Sequence, residues 1–455
     1  MAIAVLAAAA HELTLFASVG LLIGGLDDLL VDLIWLGRGL WRRLTVYRRH
    51  ARVTVETLAQ PACPGRIAVL IGAWDESAVI GRMLASASQA WAGHDLLIYV
   101  ATYPNDHDTI AAVDAAHARD PRIRPVPGLL PGPTTKAEAL NRAFMALAAD
   151  EAATAVPVRA IVLHDAEDIV HSAEPAIFTA LIDRFEMIQL PVLPLPDRGT
   201  PGVAMHYADE FAEAHGKQLV VREAIGAGLP SAGVGCAIAR DALQRIADAN
   251  GGLPFDADSL TEDYELGLRL RAAGGRGAFV AMRTRPGGPL VAVRAHFPAT
   301  LEAAIAQKSR WIAGIALSGW DRLGWAGGLA ERWMRARDRR APLAAIILGA
   351  AWAAFAATAL AAVIGPLPPV DPVLQMLLSA NALLLLWRLA LRAALVARLY
   401  GLRQGLFSVP RMVVANAILI AAAWRAVGRY RRQRRDGRLD WGKTAHRFPD
   451  VVPAE

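Results

Sequence analysis

A stretch of 22 residues without a charge, at 343–364, constrains the fold of this chain more than any other feature. A helix of about 20 apolar residues is long enough to cross the hydrocarbon core of a bilayer, so the stretch predicts a membrane-spanning helix. Hydrophobic residues make up 55% of the chain, whereas about 45–50% is usual for soluble domains. This excess excludes an intrinsically disordered chain and indicates that part of the protein lies in lipid.

Two further apolar segments predict spanning helices. Residues 13–36 are interrupted by three aspartates and are followed, at 37–52, by six arginines and no acid. Because arginine-rich flanks tend to stay in the cytoplasm, this segment predicts a span with the N-terminus outside and the following domain inside. Residues 370–391 follow a proline-rich turn and predict a span that returns the chain to the cytoplasm.

The last apolar segment, at about 406–425, allows two interpretations. Only 13 residues separate Arg411 from Arg425, which is about 20 Å of helix against a hydrocarbon core of about 30 Å. A crossing here would also place an arginine-rich tail outside, against the usual distribution of positive charge. An in-plane or bundle-buried helix is therefore favoured over a fourth membrane span, which would be the third helix of the group at 341–428, and the basic tail at 429–455 is expected in the cytoplasm.

The central part of the chain has the pattern of an α/β domain. Short apolar runs at 67–73, 96–102, 160–166 and 186–192 alternate with helical patterns. Continuous apolar strands separated by helices predict a mostly parallel sheet with helices on both faces. The expected division is an N-terminal helix and linker at 1–59, this domain at 60–300, interfacial helices at 301–340, membrane helices at 341–428 and the tail at 429–455.

Acidic residues follow the predicted strands, where ligands bind in such sheets. They are Glu76 and its neighbour Asp75, Asp106, the group Asp165, Glu167 and Asp168, and the pair Glu262 and Asp263. Each acidic turn alone is also explained as a helix cap or a solvated loop. Three carboxylates within four residues repel one another unless a cation joins them, and Mg²⁺ or Mn²⁺ prefers such oxygen ligands.

Five motifs occur in a characteristic order: AWDE (73–76), KAEALNRA (136–143), DAED (165–168), TED (261–263) and QKSRW (307–311). With these motifs the chain resembles the family 2 membrane glycosyltransferases, which have a GT-A nucleotide-binding domain and include cellulose and hyaluronan synthases. Three other stretches, ATYPNDHDT, LHDAEDIVHSAE and WGKTAHRFP, resemble the bacteriophage adsorption protein B subfamily. That resemblance implies a transferase coupled to secretion of a surface glycan.

The resemblance implies a donor site. Glu76 and Asp106 would contact the base and ribose of a nucleotide sugar, and Lys136 would meet the diphosphate. Asp165 and Glu167 match the family's DxD pair, with Glu in place of the second Asp. Whether Glu167 or Asp168 binds the Mg²⁺ or Mn²⁺ ion stays open.

The resemblance also implies a catalytic base and an acceptor side. Asp263 would take the proton of the acceptor hydroxyl, and Glu262 is the alternative base or a contact to acceptor or diphosphate. Gln307, Arg310 and Trp311 match QxxRW and fall on one face of a helix, where they would contact acceptor and phosphate. Tryptophan and arginine before a membrane helix also serve as interfacial anchors alone.

The sequence thus predicts a multi-pass protein of the bacterial inner membrane with an inverting, metal-dependent glycosyltransferase domain in the cytoplasm. Its expected partners are a nucleotide-sugar donor, a growing glycan or lipid-linked acceptor, the bilayer, and a secretion partner or a second copy of the chain, but no nucleic acid. One alternative is a single-transfer enzyme acting on a polyprenyl phosphate. The other is a non-catalytic membrane subunit of a glycan-export or phage-adsorption assembly.

Overall fold

The computed structural model of the chain describes residues 2–197, 199–200, 202–437 and 446–449. The strands of the described residues are β1 (Arg66–Gly72), β2 (Leu96–Thr102), β3 (Ile123–Pro127), β4 (Val158–Leu163), β5 (Met187–Gln189), β6 (Val192–Pro194), β7 (Cys236–Ala239), β8 (Gly277–Phe279) and β9 (Val293–Ala295). The helices are α1 (Ala2–Leu44), α2 (Ile80–Ala90), α3 (His107–His117), α4 (Lys136–Thr154), α5 (Glu174–Leu181), α6 (Val203–Glu213), α7 (Leu219–Ala224), α8 (Arg240–Ala249), α9 (Glu262–Ala272), α10 (Leu301–Ile312), α11 (Gly319–Leu323), α12 (Leu329–Arg339), α13 (Ala341–Ile364), α14 (Pro372–Tyr400) and α15 (Leu402–Asp436).

A seven-stranded sheet in the order β3-β2-β1-β4-β7-β5-β8 forms the centre of the α/β domain. Its pairs are parallel except those of β7, which runs antiparallel to both β4 and β5. The middle of β1, at 67–71, is buried, as expected for a strand covered on both faces. The prediction of a mostly parallel sheet with helices is confirmed, and the antiparallel β7 makes the sheet a mixed one.

Two predicted strands are shorter in the structure than in the sequence pattern. β4 ends at Leu163, because the polar residues that follow it form a loop. The apolar run at 186–192 is divided between β5 and β6, with Pro191 between them. Proline has no N–H to continue a ladder, and β6 pairs instead with β9 in a separate two-stranded sheet. The division turns the chain toward the second sheet beside the main one.

Long helices at the two ends of the chain pack against one another. α1 lies along α13 and α14, and α15 lies along α14, α10 and α13. Two of the described helices, α13 with 24 residues and α15 with 35, are long and apolar enough to cross a membrane. α13 contains the uncharged stretch at 343–364, and the spans expected at 13–36 and 370–391 stay predictions.

α15 runs without interruption through the ambiguous segment at 406–425. Arg411, taken in the sequence as a charged boundary, is only 6% exposed. Its guanidinium donates to both carboxylate oxygens of Asp209 on α6, at 2.8 and 2.6 Å. Because that charge is paired inside the protein, the apolar part of the helix is not confined to the 13 residues after it. The orientation of α15 in a bilayer stays a prediction.

The aspartates that interrupt the N-terminal apolar stretch lie where α1 contacts the rest of the protein. Asp28 accepts hydrogen bonds from Arg340 at 2.7 Å and from Arg388 at 2.8 Å. Asp32, which is 2% exposed, forms an ion pair with Lys217. A buried carboxylate is tolerated when it is paired and hydrogen-bonded. These acids therefore bind α1 to the helices around it.

Candidate functional site

The loops after β1 and β4 and the first turn of α9 converge on one cavity of about 280 Å³. All but one of the predicted site residues line it: Glu76, Lys136, Asp165, Glu167, Asp168, Glu262, Asp263, Gln307, Arg310 and Trp311. Parallel strands β1 and β4 place their carboxyl ends at the same edge of the sheet, which explains why residues distant in sequence meet here.

Asp106 is the predicted residue that does not line the cavity. One oxygen of its carboxylate accepts the Asp75 N–H at 2.5 Å, and the other accepts the Thr109 N–H at 3.4 Å. It is the N-cap of α3, a frequent role for aspartate. Asp106 thus holds the turn that carries Glu76, and a contact to the ribose stays a prediction.

Glu76 reaches the cavity through a turn with an uncommon backbone conformation. The preceding Asp75 has φ of 52°, in the left-handed region, which is sparsely populated by residues other than glycine. The Glu76 N–H donates to the Thr109 hydroxyl at 2.9 Å. Glu76 is 6% exposed and borders the cavity. The turn therefore aims a buried carboxylate at the cavity from the end of β1.

Lys136 is the first residue of α4, after Thr135 caps the helix by accepting the Glu138 N–H at 3.2 Å. Its ammonium forms an ion pair with Asp165. Burial alone would lower the pKa of Lys136, but the carboxylates of Asp165, Glu262 and Asp263 raise it above its ordinary value. The lysine is therefore a fixed positive charge between the loop after β4 and the first turn of α9.

The loop after β4 gives its three carboxylates different surroundings. Asp165 pairs with Lys136, and Asp168 accepts the Asp165 N–H at 2.9 Å. One oxygen of Glu167, Oε2, is buried, and Nδ1 of His446 lies 3.2 Å from it. Burial raises the pKa of Glu167 to about 8, against the opposing charge of His446. Glu167 is thus the member of this loop whose carboxylate lies in the cavity beside His446.

The first turn of α9 carries Glu262 and Asp263, with Thr261 at the N-cap position. Burial and the charge of Asp263 raise the pKa of Glu262 to about 7. Burial also raises the pKa of Asp263, while Lys136 opposes the shift. Gly233 has φ of +75°, and a Cβ there would collide with Oδ2 of Asp263. The glycine-containing segment before β7 therefore lies directly against the predicted base.

α10 presents Gln307, Arg310 and Trp311 toward the cavity, as its helical spacing predicts. Oε1 of Gln307 is buried without a hydrogen-bond partner among the described residues. The neighbouring Lys308 instead pairs with Glu210 on α6. This side of the cavity thus has an indole and a guanidinium beside an amide oxygen with unused hydrogen-bonding capacity.

His446 and Arg447 line the same cavity, although no role for either residue was predicted from the sequence. Nδ1 of His446 lies 2.8 Å from Glu76 Oε1 and 3.2 Å from Glu167 Oε2. Phe448 is 5% exposed and belongs to the main hydrophobic core, and the Arg82 guanidinium donates to the carbonyl of Pro449 at 2.5 Å. In the sequence, the motif WGKTAHRFP was the signal that could have marked these residues as functional. Its residues 441–445 lie outside the described part of the chain.

Three aromatic residues of the cavity besides Trp311 had no predicted role: Trp74, Phe211 and Phe297. Trp74 belongs to the AWDE motif, whereas Phe211 and Phe297 lie in no motif that marks them. The rings of Phe211 and Phe297 are 5.0 Å apart. Contacts between α6 and the segment after β9 bring these rings together, so no local pattern could have identified them.

Comparison with known proteins agrees with this arrangement. The profile described as "Glycosyltransferase like family 2" matches residues 64–314. Bacteriophage adsorption protein B of Escherichia coli K12 and bacteriophage N4 adsorption protein B of E. coli O157:H7 are each 34% identical over 460 residues. Each alignment covers 96% of this chain but 62% of the relative, so the chain spans about three fifths of those proteins' length.

A solved structure shows the same fold. The mannosyltransferase PcManGT from Pyrobaculum calidifontis, in complex with GDP-Man and Mn²⁺, has a TM-score of 0.53 and 18% sequence identity. The match covers 89% of this chain and 98% of the mannosyltransferase. The sheet order and this structural match show that the chain has a GT-A fold. Because the family profile matches residues 64–314, the chain belongs to the family 2-like glycosyltransferases.

Proposed function

We propose that the protein is a membrane-bound, inverting glycosyltransferase that moves a sugar from a nucleotide sugar to a growing glycan or a lipid-linked acceptor. One observation carries the proposal: Asp263, Lys136 and Glu167 line the same cavity. A base, a diphosphate-binding cation and a metal-binding carboxylate are the three groups that such a transfer requires.

The donor side lies between the ends of β1 and β4. Glu76 fits a contact to the nucleoside, with Asp106 supporting its turn or reaching the ribose. Lys136 fits the diphosphate because its positive charge is held by surrounding carboxylates at the start of a helix. The Mn²⁺–GDP-mannose complex of the mannosyltransferase supports a nucleoside-diphosphate sugar as the class of donor.

The residues present fit a divalent metal ion. Glu76, Glu167 and His446 offer ligand atoms that all lie within 4.8 Å of one another, and Glu167 Oε2 is buried beside His446 in the cavity. Carboxylate oxygens suit Mg²⁺ and Mn²⁺. Glu167 and His446 would hold the ion, with Asp165 or Asp168 nearby. When bound, it would neutralise the charge that develops on the departing diphosphate.

Asp263 is the proposed base. Its Oδ1 accepts the Tyr264 N–H at 2.7 Å, which leaves Oδ2 to face the glycine-containing segment. Asp263 would remove the proton of the acceptor hydroxyl as that oxygen bonds to the anomeric carbon. The bond from the anomeric carbon to the diphosphate breaks in the same displacement, so the configuration at that carbon inverts.

The acceptor side lies toward α10. Trp311 offers a flat apolar face for a sugar ring, and Gln307 offers a buried amide oxygen without a partner in the described residues. Arg310 adds a positive charge suited to a phosphate or a sugar hydroxyl. The match to QxxRW favours a polymer-forming enzyme, and single transfer to a polyprenyl phosphate is the alternative outcome.

The long helices would place this site at the cytoplasmic face of the inner membrane. Arginine-rich segments flank α1, α13 and α15 on the side of the catalytic domain, as expected for cytoplasmic flanks. The curated relatives are named for bacteriophage adsorption, which fits a protein that serves the cell envelope. A secretion partner or a second copy would supply further helices for export.

The deciding experiment measures release of nucleoside diphosphate from a panel of nucleotide sugars. Membranes would carry the full chain, the Asp263→Asn variant, or the control Asp114→Asn, which changes an exposed aspartate on α3. We expect metal-dependent release with wild type and Asp114→Asn and none above background with Asp263→Asn. Equal release from both variants would refute Asp263 as the base. No release by wild type with any donor would favour a non-catalytic subunit.

A further inference from the structure

One face of α1 carries a row of large apolar side chains that the rest of the described chain leaves about half exposed. They recur at alternating steps of three and four residues, and Gly37 occupies the one position of the row that lacks a side chain. Steps of three and four repeat every seven residues, which is the period of the seam between two coiled helices. Six residues, each between 48% and 66% exposed, are named here the α1 stripe: Ile23, Leu26, Leu30, Leu33, Leu40 and Leu44.

The acidic residues of α1 lie on its other face, where they are paired inside the protein. Asp28 accepts hydrogen bonds from Arg340 and Arg388, and Asp32 forms an ion pair with Lys217. These pairs turn the charges of α1 toward the neighbouring helices. The α1 stripe is therefore an uncharged face that points away from the rest of the described chain.

α1 and α13 run antiparallel, and their contacts show which part of α1 lies beside the predicted membrane span. A Cβ on Gly20 would collide with Ile347, and Asp28 pairs with Arg340 at the start of α13. The uncharged stretch at 343–364 therefore lies beside the part of α1 that precedes Asp28.

The α1 stripe continues past that level, alongside the α/β domain. On the other face of α1, Asp32 pairs with Lys217, and Trp35 packs against the cluster that contains Leu395. With the uncharged stretch of α13 in the bilayer, lipid covers the first part of the stripe. The part from Leu30 onward would face water in a single copy of the chain, and a contiguous apolar surface in water marks a protein interface.

We propose that the α1 stripe is a dimer interface and that its partner is the same stripe of a second copy of this chain. The proposal rests on the membrane placement in the proposed function. Two copies that insert with their catalytic domains on the same side of the membrane have their α1 helices parallel. Around a two-fold axis, each residue of the stripe then faces its own counterpart, so a seam of regular seven-residue period matches itself.

The stripe is long enough for such a pair. Its spacing extends back to Val19 and Phe16, and the seam at 16–44 then covers about four heptads, where a coiled coil needs about three or four. This part of the helix is about 43 Å long, so a strip about 10 Å wide covers about 430 Å² on each copy. A specific interface needs about 500 Å² on each partner. The exposed Leu36 and Trp41, which flank the seam, supply the remainder.

Disulfide cross-linking in membranes tests the geometry of the interface. Each variant of the full chain carries one new cysteine on α1 and the change Cys63→Ser, and the remaining Cys236 is buried. Leu33→Cys and Leu40→Cys should each give a covalent dimer on mild oxidation. The matched control is Gly39→Cys, at an exposed position on another face of α1 where no atom of another segment lies within 4 Å of the Cβ position. It should stay monomeric.

Charge within the stripe tests its contribution to the stability of the dimer. Leu33→Glu/Leu40→Glu should raise the dissociation constant of the dimer about 100-fold or more, because four carboxylates would enter an apolar seam. Mass photometry of the full chain in detergent measures this constant. Leu129→Glu/Leu130→Glu makes the same change at two exposed leucines between β3 and α4, and it should leave the constant unchanged. If the stripe variant does not fold, the cross-linking pattern still decides the proposal.

Three results would overturn the interface. They are cross-linking of Gly39→Cys as strong as that of Leu33→Cys and Leu40→Cys, a wild-type chain that is monomeric at every concentration, and a stripe occupied by a different protein instead of a second copy. Failure of the transferase activity has a different signature. A wild-type chain that dimerises with the expected pattern of variants, yet releases no nucleoside diphosphate from any donor, would refute the activity and support the interface.

Discussion

His446 Nδ1 lies 2.8 Å from Oε1 of Glu76, although 370 residues separate them in sequence. The contact brings a residue from beyond α15 into a cleft built by the ends of β1 and β4. Burial would lower the pKa of His446, but Glu167 and Glu76 raise it to about 9. The imidazole therefore lies between two carboxylates of the donor side.

Replacement of His446 should weaken metal-dependent nucleotide binding. A hydrogen bond to a charged group contributes about 1.5–3 kcal/mol, so His446→Gln should lower the affinity for a nucleoside diphosphate with Mn²⁺ by about 10- to 100-fold. Isothermal titration calorimetry of the detergent-solubilised protein measures this. His50→Gln, at an exposed histidine, is the matched control. Unchanged affinity in His446→Gln would exclude a part for this residue in the donor site.

A methyl group at Gly233 should stop turnover while donor binding persists. Gly233 has φ of +75°, and a Cβ there collides with the Asp263 carboxylate. Gly226 is a close control, because its φ is +74° and no atom lies within 4 Å of its Cβ position. Gly233→Ala and Gly226→Ala should each introduce backbone strain, which destabilises the folded protein by about 1 kcal/mol or more. Only Gly233→Ala should lose turnover by a large factor, and equal losses would argue against displacement of Asp263.

The acid limb of the pH–rate profile should lie at a higher pH than the ordinary pKa range of an aspartate would give. A base acts when it is deprotonated, and burial raises the pKa of Asp263 above its model-compound value of 3.8. Activity should therefore fall, as pH is lowered, at a higher pH than an exposed aspartate would give. Lys136 opposes the shift, so Lys136→Met should move the limb to still higher pH. Turnover at saturating donor across a pH series measures both effects.

If the acid limb of Lys136→Met lies at the same pH as that of wild type, the electrostatic coupling of Lys136 to Asp263 is contradicted. The control for this measurement is Lys308→Met, which removes a lysine whose partner is Glu210 on α6. That variant should leave the position of the acid limb unchanged, because its charge is not among those that shift the pKa of Asp263.

Removal of one partner of the pair between Asp32 and Lys217 should destabilise the contact between α1 and the catalytic domain. Both side chains are buried, and Asp32 also accepts the Trp387 indole N–H at 2.9 Å. Leaving a buried charge unpaired typically costs about 3–5 kcal/mol, so Asp32→Asn should lower the midpoint of thermal unfolding in detergent.

The double variant Asp32→Asn/Lys217→Met should recover part of that loss, because it removes both charges. Glu12→Gln, at an exposed position of the same helix, should have little effect. If Asp32→Asn unfolds at the same temperature as wild type, this pair does not hold α1 in place.

The sequence by itself determined the α/β domain, the sheet edge that carries the site and most of its residues. Apolar strands separated by helices form a largely parallel sheet, and such a sheet brings the carboxyl ends of its strands to one edge. That rule, with the motifs around Glu76, Asp165 and Asp263, was enough to predict which residues share the cavity. The face formed by Gln307 and Trp311 followed from helical spacing alone.

Only the tertiary structure decided which way the side chains within each motif point. Asp106 caps α3, and Asp168 closes its own loop, because neighbouring N–H groups and a buried imidazole take up their oxygens. The tertiary structure also paired Asp32 with Lys217 and brought His446 to Glu76. Such contacts depend on chain segments that meet only after folding, so spacing in the sequence carries no record of them.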